Sequence, residues 1–460
     1  MENITIAEVI SATRGKLLSG NTDQIINNVS CDSRNITENC LFVPLKGENF
    51  DGNDFIGNAF ENGATVSLVS SGFDTSSIQG SLIEVEDTLE AMQNLAKYYL
   101  GKFDIPVIGV TGSVGKTTTK EMIAAALGNT MKVFKTEGNY NGQIGLPLTV
   151  FNLDSSYEIA IFEMGVSKFG EMEKLADIAD PDIGVITNIG MSHMENFKTM
   201  ENTCREKLKI VKRDDAILYL NGDCPILVEG SEKVPQKIVC FGLNGDYPYR
   251  CQDVYASNGS TNFTLVTPEF REEISIPCLG IQNVYNALVA IAIAINRGVH
   301  LEDIKEGLLT FKNVVMRQQI SEINGITIID DSYNSSPDSM KSAVSVLKSI
   351  EGGKKIVVMA DMLELGENSK KAHYDIGRYI AIEGIDVLIA VGEQSKNAAE
   401  GASSANQDIE VYECDNNDEA FERLKSLVGS GDKVLIKGSR AKHTEEIVNN
   451  LKGHLASITC

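Results

Sequence analysis

The run Val107-Ile108-Gly109-Val110-Thr111-Gly112-Ser113-Val114-Gly115-Lys116-Thr117-Thr118-Thr119 holds residues whose types and spacing fit a polyphosphate. A short apolar segment ends in a glycine turn, and the chain then opens a helix on Lys-Thr-Thr. A turn of this kind lines up the backbone N–H groups of Gly112, Ser113, Val114 and Gly115 around phosphate oxygens. Lys116 adds a charge, Thr117 offers a hydroxyl to Mg²⁺, and Thr118 continues the first helical turn. The spacing departs from the usual motif by one residue: five positions before Gly115 stands Val110, with Gly109 one further back. Gly112 supplies the tight turn instead. The alternative is a chance glycine turn before a helix; the apolar run ahead of it favours a nucleoside triphosphate site.

Other candidates follow along the chain. Glu163 ends the apolar run Ile159-Ala160-Ile161-Phe162. In an open parallel sheet the carboxyl ends of strands face the ligand, so Glu163 is placed as a Mg²⁺ ligand, direct or through water, or else as a solvated loop carboxylate. His193 lies beyond another apolar run, in Asn188-Ile189-Gly190-Met191-Ser192-His193. Imidazole is an uncommon ligand for a hard cation, so chemistry alone leaves His193 open between a metal or phosphate contact and an ordinary loop residue. Lys207, in Cys204-Arg205-Glu206-Lys207-Leu208-Lys209, reads by itself as part of a solvated basic helix face. Arg317 and Asp331 flank a hairpin and could close on the phosphates and ribose of a nucleotide. Equally, they could form a surface ion pair beside a helix start at Ser336-Pro337-Asp338.

These residues need strands and helices to bring them together. Residues 1–86 read as a small α/β unit, followed by an amphipathic helix over 87–100 with Leu89, Met92, Leu95, Ala96 and Leu100 on one stripe. From 87 to 313 candidate strands at 105–111, 159–164, 183–189, 216–220 and 238–241 alternate with helices, including 116–127 and 200–212. That alternation predicts a mostly parallel sheet covered on both faces. Residues 254–266, with Asn258-Gly259, look like a small antiparallel insertion, and a long apolar helix over 283–296 closes the segment. The third segment, 314–460, opens with a hairpin turning at Asn324-Gly325 and continues as a Rossmann-type unit. The expected fold is α/β in three domains: a small N-terminal unit, a central phosphate-loop sheet and a Rossmann-like C-terminal unit.

Composition narrows the class. A formal charge of 41 − 64 = −23 argues against non-specific nucleic-acid binding. No run of 18 apolar residues predicts a membrane span, and Met-Glu-Asn-Ile-Thr-Ile does not open a secretory signal. Nine scattered cysteines without a Cys-x-x-Cys pair predict reduced thiols and a cytoplasmic protein.

The ordered set Thr111-Gly112-Ser113-Val114-Gly115-Lys116-Thr117, Glu163, His193, Lys207, Asn283, Arg317 and Asp331 resembles the muramyl ligase family of peptidoglycan synthesis, over essentially the whole chain. That family's phosphate loop has the longer glycine spacing. Further stretches are similar to its members that append D-alanyl-D-alanine to UDP-N-acetylmuramoyl-tripeptide: Thr136-Glu137-Gly138-Asn139-Tyr140-Asn141-Gly142-Gln143, Asp331-Ser332-Tyr333-Asn334, Asp361-Met362-Leu363-Glu364-Leu365-Gly366-Glu367 and Lys437-Gly438-Ser439-Arg440. An Asp-Asn-Pro-Arg motif, carried by the sister ligase that adds the third amino acid, is absent. Gly280-Ile281-Gln282-Asn283 departs from the family pattern by having glutamine where histidine is usual.

The resemblance implies an ATP- and Mg²⁺-dependent ligase working through an acyl phosphate, expected to be a monomer. It implies that residues 1–86, including Ser33, hold the UDP-sugar peptide, together with Asn139. It assigns Lys116 to the phosphates and Asn283, Arg317 and Asp331 to the nucleotide. Glu163, His193 and a carbamylated Lys207 would hold metal. The rivals are a related amide ligase, such as the third-residue ligase or folylpolyglutamate synthase, and a catalytically silent nucleotide-binding subunit.

Overall fold

The computed structural model of the chain describes residues 1–458; Cys460 lies outside them. The phosphate-loop strand Val107–Thr111 sits inside a nine-stranded sheet and is buried on both faces. Full burial explains its unbroken apolar sequence, since a strand covered on both sides has no polar alternation to keep. It pairs in parallel with Ile159–Glu163 on one side and Ile183–Ile186 on the other. The chain passes from Val107–Thr111 out to the edge strand Val133–Lys135, back to Ile159–Glu163, and then across to Ile183–Ile186. The connections therefore leave in opposite directions at Val107–Thr111, opening a crevice at the carboxyl ends of these strands.

Beyond Ile183–Ile186 the parallel order continues through Ile217–Asn221, Lys237–Gly242 and Tyr249–Ser257. The expected antiparallel insertion is larger than its sequence signal. Tyr249–Ser257, Ser260–Val266 and Arg271–Ile276 form an antiparallel run that extends the edge of the same sheet. Its turn uses Asn258 and Gly259 at φ 50° and 77°, the left-handed pair that a two-residue hairpin needs.

The helix Lys116–Leu127 packs beneath the loop against Ile281–Asn296, whose apolar surface is buried nearly all round. Thr119 Oγ1 donates to Asn286 Oδ1 at 2.9 Å, fixing the first turn of the phosphate-loop helix to that neighbour. The predicted helix over 200–212 is shorter: Met200–Lys207 ends in the 3₁₀ turn Leu208–Ile210.

The N-terminal unit is a five-stranded sheet ordered Lys16–Ser19, Ser81–Val85, Val66–Ser70, Cys40–Phe42, Asn28–Ser30, with only the first pair antiparallel. Thr88–Leu100, capped by Asp87, then docks its apolar stripe between Ile6–Thr13 and the central helices Gly145–Val150 and Glu171–Ala179. The C-terminal sheet has six strands ordered Gln319–Ile323, Ile326–Asp330, Lys433–Lys437, Lys355–Ala360, Val387–Val391, Glu410–Cys414. Its first pair is a hairpin turning on Asn324 and Gly325 at φ 53° and 76°, and the remainder is parallel. Among the described residues no helix is long and apolar enough to cross a membrane, and every described cysteine is a free thiol.

Candidate active site

The phosphate loop is held by the strand next door. Ser113 N donates to Asn188 O at 3.1 Å, Val114 N to Asn188 Oδ1 at 2.9 Å, and Thr187 Oγ1 to Val114 O at 2.5 Å. Two glycines allow the turn. Gly115 takes φ +87° at the helix N-cap, and Gly112 takes φ +150° where a Cβ would lie 1.8 Å from Thr187 Oγ1. The helix N-terminus thus presents free N–H groups at the mouth of the crevice.

That mouth is one cavity of about 1080 Å³. Ser113, Val114, Gly115, Lys116, Thr117 and Thr118 line it, as do Glu163, His193, Asn283, Arg317 and Asp331. The structure therefore gathers residues from the central and C-terminal sheets around a single space. Gly112 and Lys207 lie behind its wall, while Ser33 and Asn139 are outside it. Ser33 is buried in the N-terminal unit, and Asn139 is exposed on a loop whose neighbours Asn141, Gly142 and Gln143 do reach the cavity.

Glu163 is only 1% exposed. Its Oε1 accepts from Asn141 Nδ2 at 2.7 Å, while Oε2 is buried without a hydrogen-bond partner. A buried carboxylate oxygen left unpaired is costly, and a cation in the cavity would relieve it. Glu163 and the Thr117 hydroxyl offer the hard oxygen donors that Mg²⁺ prefers, with His193 adding a nitrogen to the same cavity. Among the described residues no three His, Cys, Asp or Glu side chains cluster as metal ligands. A cation beside Glu163 and His193 would thus need another oxygen donor, such as a phosphate or a modified lysine.

Lys207 corrects the solvated-face reading of its helix: its residue exposure is 1%. Its Nζ donates to Gly112 O at 3.2 Å, and Lys116 Nζ donates to the same carbonyl at 2.9 Å. Two amines converging on one oxygen repel as ammonium ions. Burial pushes Lys207 well below the ordinary lysine range, and the Lys116 charge pushes the same way. Burial also lowers Lys116, against the pull of Glu163. The helix face was misjudged because the charge-rich sequence gives no sign that the helix packs on the underside of the loop.

His193 lies seven residues past the end of Ile183–Ile186, as N-cap of the short helix Met194–Phe197, at φ 52°. Its Nδ1 lies 2.5 Å from Glu364 Oε2, a close polar contact across the two loops. The approach of the His193 ring N–H holds the Glu364 carboxyl below its ordinary value, against the effect of burial.

The surface ion pair considered for Asp331 is instead a buried one, and its partner is not Arg317. Lys437 Nζ lies 2.6 Å from Asp331 Oδ2 and also donates to Asn334 O at 2.8 Å. Burial pushes the Asp331 carboxyl up, against the attraction of Lys437. Arg317 stacks its guanidinium 4.1 Å over the Tyr333 ring and faces the cavity. The expected helix start does exist, with Ser336 as cap and Pro337 at the first position of Pro337–Ser349.

Sequence reasoning passed over Asn141, Asn188, Lys437 and Glu364 as individual residues. Asn141, Lys437 and Glu364 lay inside quoted motifs and Asn188 in the quoted loop, but their partners are distant in sequence.

Comparison with known proteins places this geometry. Three family models match in chain order: the Mur ligase family catalytic domain over residues 25–100, the Mur ligase middle domain over 110–294, and the Mur ligase glutamate ligase domain over 316–440. The chain is 39% identical over 452 residues to the UDP-N-acetylmuramoyl-tripeptide–D-alanyl-D-alanine ligase of Bacillus subtilis, covering 97% of this chain and 98% of that one.

The chain belongs to the Mur ligase family.

Solved structures agree with this assignment. A crystal structure of MurF from Acinetobacter baumannii matches with a TM-score of 0.91 at 30% identity, covering 98% of this chain and 99% of that one. MurF from Thermotoga maritima in complex with ADP matches with a TM-score of 0.84 at 30% identity, covering 94% and 98%. In this Mur ligase the cavity beside the phosphate loop is the candidate active site.

Proposed function

We propose that this Mur ligase uses ATP and Mg²⁺ to join D-alanyl-D-alanine to the free carboxylate of UDP-N-acetylmuramoyl-tripeptide. The observation that carries the reading is Glu163, whose unpaired buried oxygen faces the same cavity as Lys116 and Thr117. Full-length similarity to the Bacillus subtilis ligase supports this choice of substrates.

A carboxylate resists amines because its leaving group would be oxide. Transfer of the γ-phosphoryl group onto one carboxylate oxygen makes phosphate the leaving group. The amine of D-alanyl-D-alanine then attacks the carbonyl carbon, loses a proton, and the tetrahedral adduct collapses to amide and phosphate. The protein's task is positioning and charge neutralisation. Ser113 N and Val114 N are engaged by Asn188, which leaves Lys116 and the N–H groups of Gly115, Lys116 and Thr117 to hold the phosphates. Thr117, Glu163 and His193 would hold Mg²⁺, which offsets phosphate charge when bound. Arg317, Asn283 and Asp331 line the same cavity and would meet the nucleotide there.

Lys207 fits a carbamate. Burial and the neighbouring Lys116 depress its basicity, which favours the neutral amine that attack on CO₂ requires: the nitrogen bonds to carbon, a proton leaves, and a carboxylate results. Lys116, beside the same Gly112 carbonyl, would stabilise the new negative charge.

In this proposal residues 1–86, with Ser33, bind the UDP-sugar peptide, aided by Asn139. Residues 87–313 bind ATP, and 314–460 complete the site and exclude water from the acyl phosphate. The enzyme acts as a cytoplasmic monomer. Phosphate release measured with ATP and UDP-N-acetylmuramoyl-tripeptide, with and without D-alanyl-D-alanine, tests the function. Release that depends on all three supports it; equal release without the dipeptide, or with a single amino acid in its place, refutes it.

A further inference from the structure

Two loops from different sheets meet at His193. On the central side His193 adopts φ 52°; on the C-terminal side Glu364 adopts φ 63°. Neither is glycine, so both hold an unfavourable left-handed backbone, and such residues concentrate where a side chain must be aimed. Each presents its side chain to the other, with His193 Nδ1 2.5 Å from Glu364 Oε2. The main chains are joined as well: Glu195 N donates to Glu364 O at 3.1 Å, and Met191 N donates to Asp338 Oδ2 at 3.2 Å. Gly366 lets the backbones approach, since a Cβ there would stand 3.3 Å from Glu195 Cα.

The loop bearing Glu364 is firmly set in its own domain. Met362 N donates to His373 Nε2 at 2.9 Å and Leu363 N to Ser439 Oγ at 2.9 Å. Asp361 is paired with Lys442 at 2.7 Å and accepts from Ser395 N at 2.8 Å. The Glu364 carboxylate is therefore delivered to His193 by the C-terminal domain as a whole. With side chains 27% and 56% exposed, this contact adds little to stability, which leaves orientation as its contribution.

We propose that Glu364 is a positioning residue for His193: by engaging Nδ1 across the domain boundary it leaves Nε2 for the cation, so that cation binding and domain closure become coupled. A metal-binding imidazole characteristically gives its other nitrogen to a carboxylate or carbonyl. Here the carboxylate belongs to the domain that closes. The coupling is reciprocal: a cation on His193 favours closure by the factor that closure favours the cation. The inference rests on the reading of His193 as a metal-facing residue.

The test uses the full chain with a saturating non-hydrolysable ATP analogue. Mn²⁺ bound beyond that chelated by the analogue is counted by electron paramagnetic resonance, and compaction is followed by small-angle scattering. Glu364→Ala is expected to weaken this Mn²⁺ site roughly 10–100-fold and to abolish Mn²⁺-dependent compaction. Analogue affinity without Mn²⁺ and the thermal midpoint should be unchanged. Glu364→Gln, whose amide oxygen still accepts from Nδ1–H, should recover most of the affinity. Parental Mn²⁺ binding in Glu364→Ala, with binding lost in His193→Ala, overturns the proposal and leaves the His193 reading intact. Parental binding in His193→Ala overturns both. Loss of thermal stability and metal-free analogue binding in both Glu364 variants overturns the positioning role in favour of a scaffold.

Discussion

Substituting Gly112 by alanine tests how the phosphate loop is held. The added Cβ would lie 1.8 Å from Thr187 Oγ1 and 3.1 Å from Thr187 Cβ. The hydroxyl must swing away, abandoning its 2.5 Å bond to Val114 O at a position only 5% exposed. A buried group left unpaired costs about 1–3 kcal/mol. Holding alanine at φ +150° adds strain on the order of 1–3 kcal/mol. The lower end of that sum, about 2 kcal/mol, corresponds to roughly 30-fold weaker nucleotide binding if it falls wholly on the bound loop. Calorimetry with an ATP analogue and a thermal melt would show how the cost divides between affinity and stability. Removing the hydroxyl with Thr187→Ala leaves the remaining Cβ contact at 3.1 Å, so Gly112→Ala should do less harm in that background. Parental affinity and stability in Gly112→Ala, or equal damage in both backgrounds, would refute the reasoning.

Lys207→Ala should cut turnover by orders of magnitude while leaving nucleotide affinity nearly intact, as steady-state rates and calorimetry will show; near-normal turnover defeats the carbamate assignment. Lys437→Met strands the buried Asp331 carboxylate and should cost about 3–5 kcal/mol in denaturant unfolding, much of it restored by adding Asp331→Asn. His373 is wholly buried, with Nε2 accepting from Met362 N, and burial lowers its pKa below the ordinary 6.5. The unfolded chain therefore binds a proton that the fold refuses as pH falls below about 6.5, so stability should decline there by up to one proton's worth of slope. Unfolding curves at stepped pH should lose that component in His373→Gln.

The strands and helices around the chemistry were legible because their patterns are local. Val107–Thr111 is continuously apolar since both its faces are covered, and the helix Lys116–Leu127 begins at the lysine its glycine turn announces. Both Asn-Gly hairpins turn where the dipeptides stand. The short N-terminal strands and Glu410–Cys414 carry little periodicity, and their place is fixed by pairing with a neighbouring strand. The same division runs through the site. The phosphate loop is a contiguous motif, whereas the burial of Lys207, the Lys437 partner of Asp331 and the Glu364 partner of His193 arise only when separate elements pack. A lysine beneath a loop and a lysine in water have the same neighbours in sequence.

The central claim is that a substrate carboxylate is activated by phosphorylation in the cavity beside Lys116 and Glu163. Isotope transfer measures it directly: UDP-N-acetylmuramoyl-tripeptide labelled with ¹⁸O in its acceptor carboxylate is turned over with ATP and D-alanyl-D-alanine, and the released phosphate is analysed by mass spectrometry. An acyl phosphate predicts that one labelled oxygen leaves with each phosphate formed. Unlabelled phosphate, released at the same rate as amide product, would contradict it.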